Sequence, residues 1–383
     1  MSYLKKILIL ALLAPLQVSA ADDDKRTALP GGVYDKPYIK RAGRGVAVGG
    51  YMDHEFEYNE GGGNTFDQHR FIPFIYGQVS EHVRVSAEIE FEHGGLVAGG
   101  KNSDTDGEIK LEFAVMDFTF SEAFNLRGGV ILSPLGAFNL QHDSPLNDLT
   151  ERPTVNRQIM PSTLSESGMG FYGTFFPSEM SVASYEIYVV NGFDEGVINS
   201  SGALRIRNGR GSQKADNNKG KSIVGRFGFS PRLGVNFGAS LHTGAYDDAG
   251  DHTLTIAGLD AKLTRGIFEF QGEYALSKAD IDRAIYPTAA DAQQGAYGQF
   301  NVHFGHDKML PESVWTAAAR LNWVDYDSDL DGDSELGLTF GLNFRPVEDA
   351  VLKLDYTSTW KTPASGVRGD ATGRLFLSMA TYF

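Results

Sequence analysis

Hydrophobic side chains recur at every second position along most of this chain. In LGLTFGLNF, residues 336–344, Leu and Phe alternate with Gly, Thr and Asn. VRVSAEIEFE at 83–92 and LGVNFGASLHTG at 233–244 repeat the alternation. Because successive side chains of a β-strand point to opposite faces, this period predicts strands with one apolar and one polar face.

These segments predict an all-β chain, because hydrophobic residues with helical spacing occur only within the first twenty residues. Pro73 removes a ladder donor from the second segment, and the fourth changes face near Met116, which indicates a bulge. The sixteen predicted strands are 43–58, 67–80, 83–93, 107–121, 124–134, 168–177, 180–191, 221–231, 233–246, 253–264, 266–278, 295–305, 312–326, 334–346, 350–361 and 372–383.

The connections between these segments alternate between short and long. The long ones are 59–66, 94–106, 135–167, 192–220, 247–252, 279–294, 327–333 and 362–371. In hydrocarbon a sheet has to close, because an open edge leaves backbone groups unpaired, and closed barrels carry short turns on one side only. We therefore expect a sixteen-stranded antiparallel transmembrane β-barrel with short periplasmic turns and long external loops.

The two ends of the chain fit export to a bacterial outer membrane. Residues 1–20 have a basic start, a short apolar run and small residues at the end, which is typical of a cleaved signal peptide. We expect 21–42 to be a periplasmic arm and 43–383 to be the barrel. The last strand should turn apolar side chains to lipid and place Tyr382 at the membrane boundary. These apolar residues are Leu375, Leu377, Met379 and Phe383.

A final strand that ends in Phe383 resembles the assembly signal of bacterial outer-membrane barrels. The resemblance implies recognition by the barrel-assembly machinery, in a membrane of lipid and lipopolysaccharide. The net charge of −15 argues against nucleic acid as a partner. We expect no catalytic residues and no cofactor, because no nucleotide-binding glycine pattern occurs and the nine His show no metal-ligand spacing.

Four stretches resemble the phosphate-selective porin O and P family. They are FDQHRFIPFIYGQVSEHVRVSAEIEFEHGG at 66–95, RPTVNRQIMPSTLSESGMGFYG at 152–173, YVVNGFDEG at 188–196 and GKSIVGRFGFSP at 220–231. The resemblance implies a water-filled, usually trimeric pore for small hydrophilic solutes or ions, including anions such as phosphate. Phosphate-binding members line the pore with a ladder of Arg and Lys, which we cannot place in this sequence.

The longest loop, 135–167, follows strand five, where such a loop folds inward in sixteen-stranded porins. We predict that Asp148, Glu151, Arg152 and Arg157 shape the constriction; the alternative is that the loop lies across the outer mouth. The polar strand faces predict lumen-facing charges with more acids than bases, which indicates a mild cation preference. The acids are Asp53, Glu55, Glu57, Glu88, Glu90, Glu92, Glu108, Glu112, Glu186, Asp260, Glu269, Glu273 and Asp355; the bases are Arg84, Lys110, Arg226, Lys262, Arg320, Lys353 and Arg374.

Two loops carry runs of charge. The loop 192–220 and its edge are basic, and would attract anions if they entered the pore, but the favoured interpretation is a solvated loop. Its bases are Arg205, Arg207, Arg210, Lys214, Lys219 and Lys221. Asp327, Asp329 and Asp331 resemble part of a calcium loop, although Leu338 stands where the closing Glu belongs. A solvated acidic loop, or one bridged to lipopolysaccharide by divalent ions, is favoured.

Two other functions stay open at this point. A barrel hydrolase would need a nucleophile and a base at the outer rim, and no residues stand out for those roles. A structural or adhesive barrel would have a plugged lumen.

Overall fold

The computed structural model of the protein describes residues 45–95, 107–211 and 213–383. Its sixteen strands form one closed antiparallel barrel, in which β1 pairs with both β2 and β16. The predicted signal peptide, 1–20, and arm, 21–42, lie outside the described residues. The strands β1 to β16 are Val46–Asn59, Asn64–Gln78, Val83–Glu92, Glu108–Thr119, Asn125–Leu132, Ser165–Ser178, Ser181–Val190, Ser222–Arg232, Val235–Ala245, Thr253–Arg265, Phe268–Ala279, Ala292–Phe304, Val314–Asp325, Ser334–Val347, Ala350–Thr362 and Thr372–Tyr382.

The barrel is hydrophobic outside and charged inside, which is the reverse of a water-soluble protein. On β16 and just beyond it, Leu377, Met379 and Phe383 are 52%, 53% and 56% exposed, whereas Glu88 and Glu90 on β3 are buried. Phe383 stacks on Phe71 with ring centroids 5.7 Å apart. No second layer of described residues covers the apolar face, so the alternation predicted from the sequence is confirmed, with its apolar side outward.

Tyr382 does not lie at the membrane boundary as predicted. It is buried, and its hydroxyl donates a hydrogen bond to Asp143 Oδ2 over 2.9 Å. The reason is the period of the strand: Tyr382 shares its face with the buried Ser378 and Ala380, so it points into the barrel. The last strand therefore contacts an inner element of the protein.

The two irregular strands are only partly as expected. In β4 the change of face occurs at Glu112, where the register with β3 shifts between Glu88 and Ile89, four residues before the predicted position at Met116. Pro73 does not end β2, which pairs with β1 through Gly50 and runs on to Gln78.

Short and long connections alternate, with two exceptions. The connection 305–313 at the short-turn side is longer than its neighbour 326–333. The first predicted long loop, 59–66, is only 60–63, because both flanking strands extend further than their patterns indicated. We call the end of the barrel that carries 133–164 and 191–221 the long-loop end, and the opposite end the short-turn end. Among the described residues no helix is long and apolar enough to cross a membrane.

Short helical elements lie in the two longest connections. The inner loop, 133–164, contains 3-10 turns at Phe138–Leu140 and Ser144–Leu146 and the helix α1, Thr154–Gln158. The basic loop, 191–221, contains 3-10 turns at Glu195–Val197 and Ile206–Gly209. The two loops share one buried apolar cluster with the strands, which includes Val155, Ile159, Met160, Leu204, Ile206, Ile256 and Val324. The loops are therefore packed against the barrel wall and against each other.

Candidate functional site: the loops inside the barrel

The inner loop crosses the interior of the barrel and is bound on opposite sides. On one side Asp148 accepts hydrogen bonds from Asn301 on β12 over 2.9 Å and from Asn343 on β14 over 3.2 Å. Arg345, also on β14, donates to the same carboxylate over 3.1 Å. The backbone N–H of Thr150 donates to Asp355 on β15 over 2.6 Å.

Glu273 on β11 binds the inner loop at two further points. It accepts from the backbone N–H of Phe138 over 2.6 Å and from Asn156 Nδ2 over 2.7 Å. On the far side, the Ser144 hydroxyl contacts Asp53 on β1. Because Asp53 and Glu273 lie in the middle of β1 and β11 rather than at their ends, the loop lies within the barrel rather than across its mouth.

Two glycines make this position possible. Gly136 begins the turn inward with φ +76°, a left-handed conformation that L side chains rarely adopt, and a Cβ there would lie 2.8 Å from Glu273 Oε2. On β14, a Cβ at Gly341 would lie 2.5 Å from Leu149 Cδ2 of the inner loop. The missing side chain therefore leaves the space that Leu149 fills.

The four residues predicted to shape the constriction occupy different settings. Asp148 is buried in the contacts with β12 and β14, and Glu151 pairs with Arg157 over 3.0 Å and also with Arg374 on β16. Arg152 forms no ion pair with any described carboxylate. Burial, and then the neighbouring Arg70 guanidinium, lower the pKa of Arg152.

The basic loop packs against the inner loop rather than lying free in solvent. Arg207 Nη1 donates to the carbonyl oxygen of Ser162 over 2.6 Å, and Arg210 Nη1 donates to that of Thr163 over 3.2 Å. Neither guanidinium forms an ion pair within the described part of the chain. The favoured interpretation of a solvated loop therefore does not apply to these two residues.

Like charges meet where these loops touch. Burial, and then the guanidiniums of Arg210 and Arg152, lower the pKa of Arg207 to about 9. Burial also lowers the pKa of Arg210, although Glu108 and Glu92 act in the opposite direction. Neighbouring guanidiniums therefore add to the effect of burial at Arg207, whereas at Arg210 burial alone lowers the pKa and the nearby carboxylates oppose it.

Two cavities flank the loops. One of about 400 Å³ lies between β4, the inner loop and the basic loop, and its lining includes Glu108, Lys110, Thr163, Arg207 and Arg210. The other, of about 510 Å³, lies between the inner loop and strands β7 to β12, and its lining includes Phe138, Arg226, Asp260, Lys262 and Glu273. The lining of each cavity includes charged side chains of both signs.

Charges on the barrel wall are mostly paired. Arg70 on β2 binds Glu90 over 2.9 Å and Glu92 over 3.0 Å, and Lys110 on β4 binds Glu90 over 2.8 Å. Further pairs, with distances of 2.7, 2.7, 2.6 and 3.1 Å, are Arg84–Asp117, Arg127–Asp117, Arg226–Asp260 and Lys262–Glu269. Much of the wall's charge is therefore neutralised locally.

The other predicted lumen residues also lie on the inward faces of their strands. Lys353 donates to the carbonyl oxygen of Ser144 over 2.7 Å, and Glu112 contacts His142, so both hold the inner loop. Arg374 binds Glu57 on β1 as well as Glu151. Those buried are Glu88, Glu90, Glu112, Glu273, Arg320 and Lys353, and those half-buried are Glu92, Lys110, Arg226, Glu269 and Arg374.

Sequence reasoning missed three of the paired residues: Arg70, Asp117 and Arg127. The bulge at Glu112 turns the odd-numbered residues that follow it, including Asp117, towards the interior of the barrel. The sequence pattern placed this change of face near Met116, so Asp117 was not recognised as an inward-facing residue. Arg127 follows Asn125 and precedes Gly129 on one face of a short strand. That polar alternation was a usable signal.

The calcium hypothesis gains nothing from the geometry. The backbone N–H of Asp329 donates to Asp327 Oδ1 over 3.1 Å, as in a turn closed by an aspartate. Within the described ranges, Asp327, Asp329 and Asp331 do not form a group of ligand atoms that could surround an ion. Such a group occurs instead at Asp67, His69 and His93.

A contact between a hydroxyl and an imidazole, which a hydrolase would need, occurs between Thr316 Oγ1 and His303 Nδ1 over 2.9 Å. It lies where β12 ends and β13 begins, at the short-turn end. The hydrolase hypothesis expected its nucleophile and base at the opposite rim. This pair therefore does not support that alternative.

Comparison with known proteins identifies a relative without a described function. An uncharacterized protein of Aquifex aeolicus (strain VF5) is 29% identical over 347 residues, which cover 82% of this chain and 75% of that protein. No family model matches the chain. The resemblance to the phosphate-selective porin O and P family therefore stays an expectation.

Solved structures resemble the fold. The anion-selective porin from Comamonas acidovorans has a TM-score of 0.59 and 12% identity, over 88% of this chain and 99% of that one. The outer membrane channel DcaP of Acinetobacter baumannii has a TM-score of 0.54 and 11% identity, over 90% and 99%. The trimer form of OmpT of Vibrio cholerae has a TM-score of 0.53 and 11% identity, over 88% and 99%. The chain thus has the fold of outer-membrane barrels.

Proposed function

We propose that the protein is an outer-membrane porin through which small hydrophilic solutes diffuse passively, with a preference for anions. The observation that carries the proposal is the cluster of Arg152, Arg207 and Arg210, which the inner and basic loops hold inside a barrel with a hydrophobic exterior. These guanidiniums form no ion pair with the described carboxylates. A charged constriction inside a closed barrel selects solutes by charge and width.

The preference for anions follows from pairing rather than from composition. Counting wall residues favours cations, because acids outnumber bases on the inward faces. Many of those acids, however, lie within 3.1 Å of a wall base, as Glu90 does with Arg70 and Asp260 with Arg226. A passing ion therefore meets paired charges on the wall and guanidiniums without an ion-pair partner on the loops.

We propose more specifically that the preferred solutes are small oxyanions such as phosphate. A guanidinium presents its N–H donors in a planar fork that matches two oxygens of a carboxylate or phosphate. Arg207 and Arg210 each use one Nη1 donor on a backbone carbonyl, which leaves the other guanidinium N–H groups for a solute. The anion-selective porin among the structural neighbours supports this choice without deciding it.

We also propose a homotrimer in the outer membrane, inserted by the barrel-assembly machinery through Phe383. The trimer form of the Vibrio cholerae neighbour supports the oligomeric state. The outward, exposed position of Phe383 leaves its side chain accessible to a protein that receives the last strand.

The deciding experiment is a planar-bilayer recording on the refolded protein. Wild type should open in conductance steps, and its reversal potential in a KCl gradient should indicate anion preference. The double variant Arg207→Gln/Arg210→Gln should shift that potential towards cation preference by roughly 1 kcal/mol per removed charge, or about fivefold each in permeability ratio.

The matched control is Lys361→Gln, which removes an exposed positive charge at the long-loop end. It should leave the reversal potential close to wild type, because a charge outside the narrow path is screened by salt. Equal shifts in the control and the double variant would remove the assignment of the constriction to these arginines.

A plugged structural barrel is the second candidate, favoured by the apolar cluster that joins both loops to the wall. Val155 and Ile159 of the inner loop pack there with Leu204 and Ile206 of the basic loop. If this packing closes the lumen, no conductance steps will appear at any protein concentration. That outcome would replace the porin proposal with the structural one.

A further inference from the structure

A histidine pair and an aspartate meet at the long-loop end of the barrel, apart from the inner loops. Asp67 and His69 lie near the start of β2, and His93 follows the last residue of β3. The sequence gives little sign of this group, because His93 stands 24 positions after His69. Pairing of β2 with β3 brings them together, as the backbone N–H of His93 donates to the carbonyl oxygen of His69 over 3.2 Å.

The side chains converge on the Asp67 carboxylate. His69 Nδ1 lies 3.0 Å from Asp67 Oδ2, and His93 Nδ1 lies 2.9 Å from both carboxylate oxygens. The two imidazole rings meet edge to face with centroids 5.3 Å apart. One ligand atom from each of the three residues lies within 4.8 Å of the others.

This spacing is close to that of a metal site. Ligand atoms about 2.0–2.1 Å from a tetrahedral zinc ion are roughly 3.3 Å from one another. Small side-chain rotations would bring the two nitrogens and one oxygen to that separation. His93 has a left-handed φ of 51°, and its ring lies beside Asp67 near the start of β2.

The donor set favours a particular class of ion. Two imidazole nitrogens and one carboxylate oxygen suit zinc, nickel or copper, whereas magnesium and calcium prefer oxygen ligands throughout. The three side chains are also partly exposed, with 23%, 27% and 45% of the His69, Asp67 and His93 side chains accessible. An ion could reach them from the medium, and water could complete its coordination.

We propose that Asp67, His69 and His93 bind one divalent transition-metal ion at the long-loop end of the barrel. Each bound imidazole must present an unprotonated nitrogen, so binding releases protons and weakens as the pH falls. The site does not depend on conduction through the lumen. It would stand even if the barrel proved to be closed.

The test is calorimetric titration of metal-free, refolded protein with ZnCl₂ and NiCl₂ at neutral pH, with MgCl₂ and CaCl₂ as comparison ions. Wild type should bind one more zinc or nickel ion than His69→Asn or His93→Asn. Loss of an outer partner of a metal ligand costs about 10- to 100-fold in affinity, so loss of a direct ligand should cost at least as much.

The control variant is His82→Asn, at the turn between β2 and β3 on the short-turn end, where the ring contacts a carbonyl oxygen. It should bind zinc as wild type does. Circular dichroism of each variant checks that the barrel has formed. Zinc binding that is absent in wild type, or unchanged in both the His69 and His93 variants, would overturn the proposal.

Discussion

Charges on the barrel wall and charges on the inner loops are arranged in opposite ways. On the wall, Asp117 is shared between Arg84 and Arg127, each at 2.7 Å, and all three side chains are buried. On the loops, the Arg152 guanidinium helps to lower the pKa of Arg207, and neither residue forms an ion pair with a described carboxylate. Wall charges therefore stabilise the strands, and under the proposed function the loop charges act on what enters the barrel.

The difference shows why the charge of a pore cannot be read from the number of acids and bases that line it. A buried carboxylate within hydrogen-bond distance of an arginine contributes little field at a distance. An unpaired guanidinium in a narrow, partly dehydrated space acts over several ångströms. Four experiments test this separation.

The largest effect is expected from Asp117→Ala, which takes the shared carboxylate from two buried arginines. Breaking a buried ion pair by removing one partner costs about 3–5 kcal/mol, so the free energy of unfolding in vesicles should fall by that amount. Denaturant titration followed by tryptophan fluorescence measures it. The reversal potential of channels that still form should not move, and Asp251→Ala, in an exposed loop, should leave both quantities unchanged.

Arg152→Gln and Arg157→Gln form the next test, because one residue lacks an ion pair and the other binds Glu151 over 3.0 Å. We expect Arg152→Gln to lower the anion-to-cation permeability ratio about fivefold, or roughly 1 kcal/mol. Arg157→Gln should change it less, since its charge is already balanced. Equal changes in the two bilayer recordings would contradict the role given to pairing.

Glu151→Gln removes the carboxylate that pairs with Arg157 and so leaves a loop arginine unpaired. Arg157 loses its carboxylate partner, whereas Arg374 keeps Glu57. Anion preference should therefore rise, by about twofold if the freed charge acts from roughly 8 Å. Reversal potentials measure this change as well. A shift towards cations would show that Glu151 does not neutralise these arginines in the open channel.

Raising the salt concentration should produce the smallest change in ion selectivity, and this test uses the wild-type protein alone. The screening length falls from about 10 Å at 0.1 M to about 3 Å at 1 M, so selectivity that arises from unpaired loop charges should weaken over that range. Permeability ratios at a fixed concentration gradient, measured at both ionic strengths, report it. Selectivity that is independent of salt would point to pore width rather than charge.

The strands were predictable from the sequence because their signal is local. Each of the sixteen patterns coincides with a strand, and Leu377, Met379 and Phe383 lie outside as their alternation required. The two errors also had local causes. The bulge lies at Glu112 rather than at Met116. Tyr382 was assigned to the membrane boundary because aromatic residues are common there, although the alternation of β16 turns its side chain inward.

The site was less predictable, because its contacts join residues far apart in the chain. Loop 135–167 was expected to enter the barrel, but no periodicity shows that Asp148 meets Asn301 or that Arg207 meets Ser162. The same limit hid the approach of His93 to Asp67. Such pairs follow from the register of neighbouring strands and from the packing of loops, which single residues do not reveal.

The seam between β1 and β16 has a consequence for the order of events during biogenesis. Three contacts of the inner loop end there: Ser144 with Asp53, Glu151 with Arg374, and Asp143 with Tyr382. Since these contacts lie on both strands of the seam, the loop can take its final place only once β16 has paired with β1. Closure of the cylinder and docking of the inner loop are thus completed in one step.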